Sequence, residues 1–294
     1  MVKKTNVATN PSLLSIVQFL HHGEGIPKNV QCKMIFPWNQ TNNRHYRKYM
    51  CCSGKYMENG VEKTDRLMFW GEWEPESYII KDFGSKSFPR YLQKPLWPCV
   101  NFPTNIPCGT DPFVFNKPFI YDFCGQDHYP SLRNLAIGSL ILFGFRKNSR
   151  FVVDTVFVVG DYFDYDINSL DFLQSKISEK DYLAMEQMKL FLHKKTKYRC
   201  YLGATPQNPY YGMYSFVPCR QYKFDDIVNN DLNKEKTMLQ LGSNFRIQNV
   251  INPNLKQGKK KCITSDINDI KDVWNDIRKL TFDQGLLEGT RFYL

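Results

Sequence analysis

The segment Trp70-Gly71-Glu72-Trp73-Glu74-Pro75-Glu76 crowds three carboxylates and two indoles into seven residues. In an extended strand alternate side chains share a face, so Glu72, Glu74 and Glu76 point one way and Trp73 the other, unless Gly71 introduces a bulge. Carboxylates side by side repel, and at least one must acquire a raised pKa or a basic partner. That is how a general acid or base is made, and Glu72 and Glu74 are the candidates for the role. Trp70 and Trp73 beside them could wall a pocket for a flat ligand. The alternative is that the indoles are core and the glutamates pair with nearby lysines and arginines.

A second constellation is Asn43-Arg44-His45-Tyr46-Arg47-Lys48-Tyr49. Cations interleaved with aromatics suit phosphate contact combined with base stacking, which makes Arg44, His45, Arg47 and Lys48 candidate nucleotide contacts. On a helix Arg44 and Arg47 share a face; on a strand Arg44, Tyr46 and Lys48 do. The competing reading is a basic loop that neutralises the glutamates, and one arginine could do both.

The third is His21-His22-Gly23-Glu24-Gly25, in which His22 could transfer a proton and His21 could meet a pyrophosphate. It lacks the HExxH spacing of a zinc site and the GxGxxG or GKS pattern of a phosphate loop, so neither a metal nor a cofactor is expected. Gly160-Asp161-Tyr162-Phe163-Asp164-Tyr165-Asp166 reads as the polar end of a hairpin before a cation site. Tyr210-Tyr211-Gly212-Met213-Tyr214-Ser215-Phe216 reads as core before a pocket wall. Nine cysteines, with no CxxC pair, suit scattered thiols in a reducing compartment.

Positioning these groups needs a folded scaffold, and 294 residues with 42% hydrophobic and 15% aromatic content can bury one. A formal charge of +10 fits a polyanionic partner such as nucleic acid or a nucleotide. The apolar run near the start is too short and polar to span a membrane, and no later run approaches spanning length, so a cytoplasmic protein without a membrane partner is expected.

Along the chain, 12–20 reads as a strand or short helix, 33–38 as an extended piece, and Asn59-Gly60 as a hairpin turn. Strands are expected over 66–73 and 77–80. The proline- and aromatic-rich stretch 81–130 is expected as an irregular cover, with a strand pair over 113–123. The strongest apolar pattern is a hairpin of strands 139–145 and 151–159, opened by a turn at Gly138 and joined by the basic loop 146–150. Helical spacing covers 171–195 and 267–280, the second started by Ser265-Asp266. Strands are expected over 199–202 and 213–217, and an exposed basic loop over 252–261. The expected class is α+β: a β-rich central sheet or small barrel with two or three helices, in one compact domain over 1–294 or divided into 1–130 and 131–294.

The stretch Gly138 to Val159, GSLILFGFRKNSRFVVDTVFVV, resembles the central hairpin of PUA-like barrels, the superfamily of ASCH, EVE and YTH domains. The resemblance covers about a tenth of the chain. It implies a pocket for an RNA or modified base beside the hairpin. Trp70 and Trp73 are then the natural walls, with Arg44, Arg47 and Lys48 on the phosphates. Two functions are therefore expected to compete. One is a nucleic-acid-associated protein that recognises a base or nucleotide, in base modification, RNA metabolism or defence. The other is an enzyme acting on a nucleotide or NAD-like substrate through a glutamate of 72–76, with a histidine and Arg44 holding phosphates. A protein-interaction module is the third possibility.

Overall fold

The computed structural model describes residues 13–20, 35–36, 47–73, 77–84, 90–96, 110–122, 124–147, 150–166, 177, 197–223, 238–241, 258–264 and 266–294. The first strands are β1 (Ser15–Leu20), β2 (Ile35–Phe36), β3 (Arg47–Glu58), β4 (Val61–Glu72), β5 (Ser77–Asp82), β6 (Tyr91–Pro95) and β7 (Ile120–Tyr121). Then come β8 (Leu140–Lys147), β9 (Arg150–Asp166), β10 (Lys197–Gly203), β11 (Val217–Gln221), β12 (Leu239–Leu241) and β13 (Gly258–Ile263). The helix α1 (Ile267–Asp283) and the strand β14 (Leu287–Phe292) complete the described chain.

These strands form two mixed seven-stranded sheets. One runs β13-β1-β8-β9-β10-β7 with β12 beside β9; the other runs β14-β11-β4-β3-β6-β5-β2, and β14 also pairs with β3. The α+β expectation with two or three helices is thus corrected: the described chain is mostly β, with one α-helix. Segments expected as loops are paired strands. The basic residues after Phe145 continue the hairpin to a Lys147↔Arg150 pair. Gly258–Ile263 pairs antiparallel with β1, and Tyr91–Pro95 is a strand within the expected cover. The helix expected over 171–195 lies outside the described residues except for Ile177, which is buried in the core cluster.

Local chemistry explains several elements directly. Asn59 and Gly60 adopt positive φ, 51° and 77°, as the two-residue turn of a right-twisted hairpin requires, so β3 and β4 pair from Glu58↔Val61 to Arg47↔Glu72. Helix α1 starts where the Asp266 side chain accepts a hydrogen bond from the Asn268 backbone N–H. It buries Ile270, Trp274 and Ile277 on one face, and each such side chain contributes about 1.5–3 kcal/mol.

Four strands of the second sheet close a ring: β3 pairs with β4, β4 with β11, β11 with β14, and β14 back with β3. Closure is tight at Gly54, where a Cβ would lie 2.6 Å from the Arg291 carbonyl oxygen and 2.9 Å from Leu67 Cδ1. Cys52, Leu67, Phe69, Cys219 and Phe292 belong to the core cluster there, which also takes in Phe19 and Phe143 of the other sheet. Phe113, Phe115 and Phe119 cover this core, with Phe115 packed edge-on against Trp73.

Candidate functional site

Five of the residues named from the sequence, Arg47, Lys48, Trp70, Glu72 and Trp73, are described, and all five are buried. His21, His22, Arg44, His45 and Glu74 lie outside the described residues. The β3–β4 register sets Arg47 opposite Glu72 and Lys48 opposite Gly71. Strand alternation then splits the set between two faces. Trp70 packs against Tyr49 and Phe145, between the two sheets. Trp73 packs on the other side with Phe115, and Lys48 Nζ donates to Ser77 Oγ at 2.7 Å.

Glu72 has the basic partner its neighbourhood demanded: Arg47 Nη1 donates to Glu72 Oε2. The same guanidinium reaches across to the other sheet, with Nε 2.5 Å from Asp154 Oδ2 on β9. Arg47, Glu72 and Asp154 are 1%, 4% and 2% exposed, which closes the triad to a ligand arriving from solvent. Burial opposes the charge on Arg47, but the pull of Asp154 and Glu72 raises the guanidinium above its ordinary pKa. Burial pushes the Asp154 carboxyl up to about 6, against the attraction of Arg47 and with the help of Glu72.

A second buried acid lies nearby. Asp111 accepts the backbone N–H groups of Asp122 and Cys124, while Tyr165 donates to Asp122 at 2.6 Å. Burial, then Asp122, hold Asp111 well above the usual carboxylate range. The guanidinium itself is partnered by Glu72 and Asp154, and of these two carboxyls it is Asp154 whose pKa burial raises. Thiol chemistry is suppressed as well, because burial pushes Cys51 up to about 11 and raises Cys52 and Cys219 further.

An accessible cation-lined site occurs elsewhere, at the mouth of the strand ring. A cavity of about 300 Å³ is lined by Arg220, Gln221, Lys223, Gly285 and Leu287. That is the lower end of small-ligand pockets, roughly 300–1,000 Å³, and barrel mouths are a recurrent place for them. Arg220 and Gln221 end β11, opposite Met68 and Leu67 of β4. Leu287 opens β14 opposite Cys219. Gly285 lies in the turn that returns the chain from α1, with φ of 68°.

Arg220 Nε is buried without a hydrogen-bond partner, and Lys223 is exposed. Gln221 Nε2 donates to the hydroxyl of Tyr56 at 2.7 Å. Beside the mouth, the Arg66 guanidinium sits 4.4 Å over the ring of Tyr222, the residue between Gln221 and Lys223. The arrangement offers two cations for an anion, an amide for a polar edge and an apolar surface at Leu287. Sequence reasoning passed over these residues. The available signal was the interleaving of Arg220-Gln221-Tyr222-Lys223, the same kind of pattern as 43–49.

No helix among the described residues is long and apolar enough to cross a membrane. Among the described residues no group of three or more His, Cys, Asp or Glu side chains could hold a metal ion. No protein-family model, curated protein or solved structure matches the chain.

Proposed function

We propose that the chain is a nucleic-acid-associated protein that recognises a base or nucleotide at the mouth of its strand ring. The observation that carries this reading is the cavity of about 300 Å³ with Arg220 and Lys223 on its lining. In it the two cations meet phosphate, Gln221 meets the base edge, and Leu287 lies against the flat face of the base. The net charge of +10 supports a polyanionic partner, and the likeness of residues 138–159 to PUA-like barrels points to the same class of ligand. The free thiols Cys51, Cys52, Cys124, Cys200, Cys219 and Cys262 suit a reducing, cytoplasmic setting.

The test is fluorescence anisotropy with a labelled single-stranded RNA and its DNA counterpart, between about 50 and 200 mM salt. Binding should weaken steeply with salt, and Arg220→Ala with Lys223→Ala should lower affinity at least about tenfold. Equal affinity of the double variant and the native chain would overturn the reading.

One observation favours an enzyme acting on a nucleotide or NAD-like substrate: the Asp154 carboxyl is held at about 6 within a shared ionic cluster with Glu72. The enclosure of that cluster weighs against it. Turnover of NAD or a nucleotide that disappears in a folded Glu72→Gln variant would select the enzyme.

A further inference from the structure

We infer that Gln221, oriented by Tyr56, makes the mouth cavity select bases that present an exocyclic amine over those that present a carbonyl at the same position. This rests on the nucleotide reading above and adds what the site would discriminate. Gln221 ends β11 opposite Leu67, and its half-buried side chain lines the cavity. Its Nε2 is committed to the hydroxyl of Tyr56, a residue 3% exposed within the core cluster.

An amide carries two donors and one acceptor oxygen on a single planar group. With the nitrogen turned to the buried tyrosine, its second N–H stays at that end of the planar group, and Oε1 at the opposite end is the acceptor left for a ligand. Oε1 only accepts. It forms a hydrogen bond with the amine of cytosine or adenine, and meets the carbonyl of uracil or hypoxanthine as a second acceptor. A site built to accept a hydrogen bond rejects the analogue that cannot donate, because two acceptors then face each other without a proton between them. Arg220 and Lys223 act on the phosphate common to all these ligands, so they supply affinity and Gln221 supplies the choice. Tyr56 acts through Gln221 and is a positioning residue.

The experiment is isothermal titration of the full chain with two matched pairs, CMP against UMP and AMP against IMP. The amine-bearing member of each pair should bind about five- to tenfold more tightly, as expected for one hydrogen bond gained or lost. Tyr56→Phe removes the partner that orients the amide, so the ratio within each pair should fall toward one. Gln221→Glu keeps an acceptor at the cavity, so the amine preference should survive while both members of a pair weaken. This second variant decides the matter if Tyr56→Phe disturbs the core. Equal binding within the pairs, or a preference that persists undiminished in a folded Tyr56→Phe protein, would overturn the assignment alone. Absence of binding by all four nucleotides would remove the nucleotide reading, and this assignment with it.

Discussion

Arg47 and Arg220 are both strand arginines in the same sheet, and they are used in opposite ways. Arg47 begins β3 and is enclosed between the two sheets, paired with Glu72 and Asp154. Arg220, near the end of β11, lines an accessible cavity with Lys223, its Nε without a partner. Arg47 is spent on the interior, where two carboxylates and one guanidinium hold each other out of water. Arg220 keeps capacity for an anion from outside. A basic residue therefore indicates a ligand only once its internal partners have been counted.

The sharpest way to break this contrast is to remove each arginine in turn. Arg47→Met leaves Glu72 and Asp154 buried without their counter-charge, which should cost about 3–5 kcal/mol of stability in urea unfolding. Arg220→Ala should cost well under about 1 kcal/mol, as for a residue at an open rim. Comparable losses for the two would mean that Arg220 is also a structural residue and that the mouth is no ligand site.

The next effect is on pH dependence. Burial, above all, raises the folded pKa of Asp154 from its ordinary value of 3.8 to about 6. The folded state therefore holds this proton longer than the unfolded chain, and ionisation opposes the fold. The contribution, of the order of 3 kcal/mol, is fully present below about 3.8 and is lost as pH rises through about 6. Asp111 acts in the same direction. Asp154→Asn should flatten the stability profile between about pH 4 and 6 relative to the native chain. Parallel profiles measured by urea unfolding at a series of pH values would show that the triad does not carry the proton.

How much of this was legible from residues alone follows from the range of each interaction. The Asn59-Gly60 turn was, because a type I′ hairpin turn needs positive φ at both positions and only a few residues supply it. The helix starting after Asp266 was, because its cap and apolar face are local. The need of Glu72 for a basic partner was legible, and Arg47 belonged to the expected candidates. Asp154 as the third member was not, since it arrives on β9 from the other sheet. Strand alternation separated Trp73 from Glu72, but it could not say that Phe115 and Phe145 would cover the two indoles. The mouth was invisible for the same reason. Arg220 and Lys223 are close in sequence, while Gly285 and Leu287 reach them only through α1 and ring closure. The lysine-rich stretch at 258–261 looked like a loop because its pairing is supplied by β1.

A smaller effect concerns the salt dependence of nucleic-acid binding. Each phosphate contact to a single strand contributes about 0.7 to the slope of log K against log salt. Replacing both Arg220 and Lys223 by Ala should therefore reduce that slope by about 1.4, besides lowering affinity. Arg47→Met should leave the slope unchanged in molecules that remain folded, since its charge is already neutralised inside. A slope that falls equally in both variants would dissolve the distinction between spent and available arginines.

The smallest expected effect comes from a third arginine that lies between these extremes. Arg66 is exposed on β4, stacks over Tyr222 at 4.4 Å and has no carboxylate trapped beneath it among the described ion pairs. An exposed cation–π contact is worth about 0.5–1 kcal/mol, so Arg66→Ala should shift the urea midpoint only slightly. Because Arg66 is outside the cavity lining, the CMP-to-UMP ratio should stay at its native value. Arg66→Lys restores the charge but not the planar stack, and should recover only part of that stability. If Arg66→Ala instead costs as much stability as Arg47→Met, exposure does not sort these arginines, and the number of buried carboxylates each one neutralises is not what sets its cost.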